Sequence, residues 1–217
     1  GVANEMAELG RKTQDHELLL DALLWRLTDH SELGDMEATW NDHAEYAVVT
    51  ERYGSPWHRY IVLTLDAYEA TAQGQYKRSE AISDQALQLG RRVRDSLAEG
   101  FHAVRALFRL YDVGMRRAAP EHAALLAEPP RSVPEDYRPF WMIAWAATGR
   151  RVELSQQLGV LLAEEYWSQV VLGTLRRPLL GAMSLAAVAL GDSASAAVIY
   201  ERLAPHHDLH LQLQPGV

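Results

Sequence analysis

Apolar residues recur along this chain with the period of a helix. Leu20, Leu23, Leu24 and Leu27 share one face at i, i+3, i+4, i+7; Ile61, Leu65, Tyr68 and Ala72 share another, and Phe101, Val104, Phe108 and Tyr111 a third. Such spacing gives each helix one apolar stripe to bury. Strand-like alternation is absent from the sequence. Glycines punctuate the stripes at Gly34, Gly74, Gly114, Gly149 and Gly191, at intervals of 40, 40, 35 and 42 residues. A second comb is offset from the first: Gly10, Gly54 and Gly90, then the Pro129-Pro130 break. Two near-copies, ELGRKTQD (8–15) and QLGRRVRD (88–95), belong to this second comb.

The punctuation predicts helix ends. Glycine takes the left-handed conformation that closes a helix without a Cβ clash, and an aspartate after it caps the next helix. LGD at 33–35 and at 190–192 therefore reads as stop, turn, start. Ser55-Pro56 reads as a cap with a first-turn proline. Ser96 with Glu99, and Ser132 with Glu135, have capping-box spacing. The expected helix pairs are 16–33 with 35–53, 56–73 with 75–89, 96–113 with 115–127, 134–148 with 151–166, and 176–190 with 192–204. Residues 1–15 read as the tail of an earlier repeat, and 205–217 as a C-terminal tail. The recurring phrase then marks where one hairpin ends and the next begins. A hairpin with one apolar face is completed by stacking on its neighbours. The fold expected is all-α, a right-handed α–α superhelix of about five hairpins in one helical-repeat domain.

QGQYKRSEAISDQALQL (73–89) resembles the second half of a tetratricopeptide repeat, with Gly74 and Tyr76 at the turn and Ala81 and Ala86 as small packing residues. LGDSASAAVIYERLAPH (190–206) resembles the same half, with Ala196, Tyr200 and Leu203 on the packing face. The period exceeds the roughly 34 residues of the standard repeat. The order of these phrases is similar to the C-terminal helical-repeat region of large bacterial ATP-dependent regulators: LuxR-type large ATP-binding regulators, antibiotic-pathway activators and related ATPase–cyclase proteins. In that family an ATPase module precedes the repeats and a DNA-binding helix-turn-helix sometimes follows. Neither a G-x-x-x-x-G-K-[ST] loop nor a basic C-terminal domain is present in this sequence. The resemblance implies a segment of a longer regulator that binds a protein, a peptide or a small effector and relays the event to an ATPase or transcription-activating module. A freestanding scaffold or small-molecule-binding protein is the alternative. The resemblance also implies a concave face built from the first helix of each pair, which places Asp21, Thr28, Tyr68, Thr71, Phe108, Tyr111 and Asp112 in a binding groove.

Composition narrows the partners. The 217 residues carry 29 acids against 21 bases, a net charge of −8, so the segment gains no counterion release on a phosphate backbone and is not expected to bind nucleic acid directly. With no cysteine, disulfides and thiolate chemistry are excluded, which suits a cytoplasmic setting. The longest nearly apolar run, Leu179 to Leu190, is too short to span a bilayer.

Candidate chemistry is sparse. His206 and His210 lie at i, i+4 near the chain end and read as a solvated tail, and Glu99-x-x-His102 lacks the second such motif of a di-iron helix. The pairs Arg91-Arg92, Arg116-Arg117, Arg150-Arg151 and Arg176-Arg177 read as helix-end compensation and ion pairing rather than an anion groove. Trp141 and Trp145, one turn apart, read as packing residues. No Gly-x-Ser-x-Gly, His-Glu-x-x-His or Gly-x-Gly-x-x-Gly occurs. The expectation is a binding protein without catalysis, cofactor or metal.

Overall fold

A computed structural model describes residues 1–95, 97–114, 122–163 and 176–209. The described residues are helical, without a strand among them. They fall into two compact units, one of residues 1–95 with 208–209 and the other of the described residues between 97 and 207.

The first unit holds α1 (Val2–Thr13), α2 (His16–Glu32), α3 (Met36–Tyr53), α4 (Pro56–Ala72) and α5 (Tyr76–Arg92), each packed on its neighbour in the chain. The helix starts follow the expected chemistry. Asp15 and Asp35 accept from the amides of Leu18 and Ala38, each at 3.0 Å. Ser55 opens α4 with a capping box, its partner being His58 rather than an acid.

The turns share one hydrogen bond. Asp15 N donates to Gly10 O, Asp35 N to His30 O, Gln75 N to Ala70 O and Asp95 N to Gly90 O, the six-to-one closure of a Schellman end. In the second unit Arg150 N to Trp145 O and Asp192 N to Ala187 O repeat it. The first glycine comb supplies the left-handed residue, with φ between 68° at Gly191 and 102° at Gly114. The second comb works differently. Gly10 and Gly90 lie inside the last turns of α1 and α5, and the left-handed residues are Gln14 (φ 59°) and Arg94 (φ 56°). Gly10 is small because a Cβ there would stand 2.9 Å from the Leu19 backbone nitrogen, where α2 crosses α1. The repeated phrase thus encodes a helix exit: a buried glycine, a left-handed residue four later, then aspartate.

The second unit holds α6 (Ala98–Val113), α7 (Ala123–Ala127), a 3-10 segment (Glu135–Trp141), α8 (Met142–Thr148), α9 (Arg151–Leu162), α10 (Arg176–Leu190), α11 (Ser193–Leu203) and a closing 3-10 turn (Ala204–His206). Its core is continuous and apolar, running through Leu107, Leu126, Phe140, Trp141, Met142, Leu158, Leu161, Met183 and Ile199. The Trp141 and Trp145 indoles donate to the carbonyls of Leu125 and Ala127, at 2.6 and 2.8 Å, and so close the end of α7.

Several expectations change. The segment 134–148 is not one α-helix, because Pro139 has no amide to give and the stretch before α8 winds as a 3-10 helix. Ser132 caps nothing there, since Pro134 occupies the N-cap position. Ala81 and Tyr200 face solvent, while Ser79, Ser83, Ala86 and Gly90 form the buried stripe of α5, and Ile199 is the buried residue of α11. Ser96, residues 115–121 with Arg116-Arg117, residues 164–166 and His210 lie outside the described residues.

Candidate functional site on the polar face of α3

Helix α3 turns its polar residues inward. Its buried positions are Thr39, Asp42, His43, Tyr46 and Thr50, at i, i+3, i+4, i+7 and i+11, and none of them is aliphatic. Val48 on the same helix is half exposed. Burial of hydroxyls, a carboxylate and an imidazole is unfavourable unless each finds a partner. The neighbouring helices supply apolar stripes: Leu19, Leu20, Leu23 and Leu27 on α2, and Ile61, Leu65, Ala67 and Ala70 on α4.

The charged groups gather in two clusters along this helix. On the α2 side, the Arg26 guanidinium lies 2.7 Å from Asp42 Oδ1 and His30 Nε2 lies 3.6 Å from Asp42 Oδ2. Burial raises the Asp42 carboxyl above its ordinary range, with the positive fields of Arg26 and His30 opposing that shift. On the α4 side, His43 stands between two carboxylates, Nε2 at 3.1 Å from Asp66 Oδ1 and Nδ1 at 3.3 Å from Glu69 Oε2. Gln73 donates to the other Glu69 oxygen at 2.9 Å. Trp40 packs tilted on Tyr68 and edge-on to His43, with ring centroids 5.6 and 6.5 Å apart.

Toward the C-terminal end of α3 the stripe is hydroxylic. Burial, then the charges of Asp21 and Glu17, push the Tyr46 phenol up, so it stays a neutral donor. Its ring lies 6.2 Å from that of His58, whose Nε2 is 3.5 Å from Glu17. Ser55, His58 and Glu17 have the residue types of an acyl-transfer triad. Ser55 Oγ lies 2.9 Å from His58 Nδ1 and accepts the His58 amide, and His58 Nδ1 accepts the Ser55 amide, so the same contacts also close the start of α4 as a capping box.

Five buried polar atoms along the seam make no hydrogen bond: Arg26 Nε, Asp42 Oδ2, His43 Nε2, Tyr46 Oη and Thr50 Oγ1. They all belong to α2 and α3, and they all lie in the first unit.

The seven residues expected in a groove divide between the units. Asp21 is exposed and Thr28 half-buried on α2, its hydroxyl donating to Leu24 O. Tyr68 packs on Trp40, and the Thr71 hydroxyl donates to Ala67 O and meets Ser79 Oγ at 2.7 Å inside the α4–α5 hairpin. In the second unit Phe108 packs edge-on against Phe140, while Tyr111 and Asp112 are exposed. Of the arginine pairs, Arg151 donates to the last carbonyls of α10, Ala189 and Leu190, at 2.7 and 2.9 Å, and Arg150 pairs with Glu153. Both act as helix-end partners, as the sequence suggested. The α3 stripe escaped the sequence reading. Its signal is present there as Thr, Asp, His, Tyr and Thr at the positions where a core helix carries aliphatic residues.

No protein-family model, curated protein or solved structure matches this chain. Among the described residues no helix is long and apolar enough to cross a membrane.

Proposed function

We propose that the chain is a recognition module of stacked helical hairpins, a right-handed α–α superhelix of tetratricopeptide type, which binds a ligand without turning it over. The observation that carries this reading is the α3 stripe, a buried helix face whose hydrogen-bonding groups are left partly unmet. Natural chains keep such groups in a core at a cost in stability, most often for function.

The seam also has a route to a readout. Helix α3 packs on α2 within one hairpin and on α4 of the next. A ligand that satisfies groups on α3 favours one packing of these helices over another and shifts the population toward it. The likeness of the repeat phrases to those of large ATP-dependent regulators supports placing the module in such a protein, where the shift would reach an ATPase or transcription-activating module.

Isosteric removal of the unmet groups tests the reading. Tyr46→Phe and Thr50→Val should each raise stability by about 0.5–1.5 kcal/mol, seen as a higher melting temperature in calorimetry, because each deletes a buried polar group without a partner. A stripe kept for structure would instead lose stability in both variants, and that result would end the proposal.

A further inference from the structure

We propose that the outer face of α2 is a docking surface for a basic protein segment, which sets arginine side chains on Trp25 and against the carboxylates beside it. The proposal names a partner for the recognition module inferred above and rests on that reading. Asp21, Trp25 and Asp29 stand at i, i+4 and i+8, so they form one stripe along the helix. All three are exposed, and Trp25 keeps 53% of its surface in water while α2 buries Leu19, Leu20, Leu23 and Leu27 on its other side. An indole gains more than most side chains from being covered, so this position favours a partner.

The charge around Trp25 has one sign. Glu17, Asp21, Asp29 and Glu32 all lie on α2, and the carboxylates of Asp21 and Asp29 pair with no cation among the described residues. The helix carries one arginine, Arg26, and it is turned inward onto Asp42 at 2.7 Å. The surface continues onto α4. Glu17 Oε2 lies 3.5 Å from His58 Nε2, and the Trp57 ring packs edge-on against the His58 ring with centroids 5.2 Å apart. Trp57 is itself 39% exposed, so an accessible indole stands at each end of the Glu17 and Asp21 pair.

This chemistry selects among partners. A phosphate backbone or an anionic lipid surface is repelled by the stripe, and a purely apolar helix would take water from carboxylates that have no partner. A basic segment covers the indole and neutralises the acids together. Arginine suits the surface better than lysine, because a guanidinium stacks on an indole with its plane while its N–H edge pairs with a carboxylate.

The test uses the whole 217-residue chain and the synthetic peptide Arg-Ala-Arg-Ala-Arg-Ala, with its lysine and glutamate counterparts. Affinity is measured by calorimetry and location by the nuclear magnetic resonance of the indole N–H groups, the Trp25 signal being the one that Trp25→Phe removes. We expect saturable binding of the arginine peptide that shifts the Trp25 indole, weaker binding of the lysine peptide and none of the glutamate peptide. Trp25→Ala should weaken the arginine peptide by about tenfold. Asp21→Asn with Asp29→Asn should weaken it as well and flatten its dependence on salt. Glu5→Gln with Glu8→Gln removes the same charge from exposed positions of α1 and should leave affinity nearly unchanged. Far-ultraviolet dichroism confirms that these exposed substitutions keep the helices intact. Absence of saturable binding overturns the proposal. So does binding that Trp25→Ala leaves as it was or that the α1 pair weakens equally, since either is plain attraction to an acidic chain. If that happens while Tyr46→Phe and Thr50→Val still raise the melting temperature, the seam reading survives and only this partner is lost.

Discussion

Asp42 shows at the level of one residue how this seam departs from an ordinary helix core. Its carboxylate is 2% exposed and has one close cation, Arg26, itself partly buried. Burial dominates, so the folded chain holds the Asp42 proton at a pH where the unfolded chain, with an ordinary value of 3.8, has released it. The sign follows from linkage. A group whose pKa is higher in the folded state contributes stability that is complete below its unfolded value and is lost as pH rises through the folded one. Melting temperatures of the native chain and of Asp42→Asn, measured from acid toward neutral pH, should therefore diverge in one direction. The native chain should lose stability relative to the variant as pH climbs above 3.8. A difference that stays flat, or grows in favour of the native chain, would show that Arg26 and His30 outweigh burial. Neighbouring Tyr46 carries a similar penalty in neutral form, a phenol with no partner for its hydroxyl.

At the scale of elements, the helix exits and the α3 face teach opposite lessons about reading a sequence. The exits were legible because their chemistry is local: an aspartate cap and a left-handed residue act within a few positions of themselves. The 3-10 segment before α8 was missed although its cause, Pro139, is also local, because apolar residues on both sides preserve a helical period through it. The α3 stripe was missed for a different reason. A search for apolar periodicity passes over a helix whose inward positions are polar, and the meeting of His43 with Asp66 and Glu69 depends on the packing of α3 on α4. The groove residues were chosen by likeness to a repeat; among them Thr71 meets Ser79 and Phe108 packs against Phe140. The exits carry a prediction of their own. Gln14 and Arg94 hold φ of 59° and 56° with exposed side chains, a conformation costly to any residue with a Cβ. Gln14→Gly and Arg94→Gly should each stabilise the chain by about 0.5–1 kcal/mol, the relief of strain exceeding the added freedom of the unfolded glycine. Chemical denaturation would show it as a higher midpoint at constant slope.

Over the whole molecule, the two units bury different kinds of surface. In the second, α8, α9 and α10 close around Met142, Leu154, Leu158, Leu161 and Met183, all at most 2% exposed, while the Trp141 and Trp145 indoles cap α7 and Arg151 caps α10. In the first, α3 runs through the interior on hydroxyls and charges, five of whose atoms on α2 and α3 lack a hydrogen bond. Local opening is governed by the apolar contact and satisfied polar groups that must be given up, so stability should be distributed unevenly along the chain. Native-state hydrogen exchange read by mass spectrometry should find the amides of α8, α9 and α10 among the slowest and those of α3 faster, despite α3 being the longest helix described. The Tyr46→Phe and Thr50→Val variants should slow exchange in α3 while leaving α9 as it was, because they change only what the seam gives up on opening. Protection in α3 equal to that of α9 in the native chain would mean that the unmet groups carry no energetic cost, and the stripe would then have no claim to be the weak, ligand-ready part of this fold.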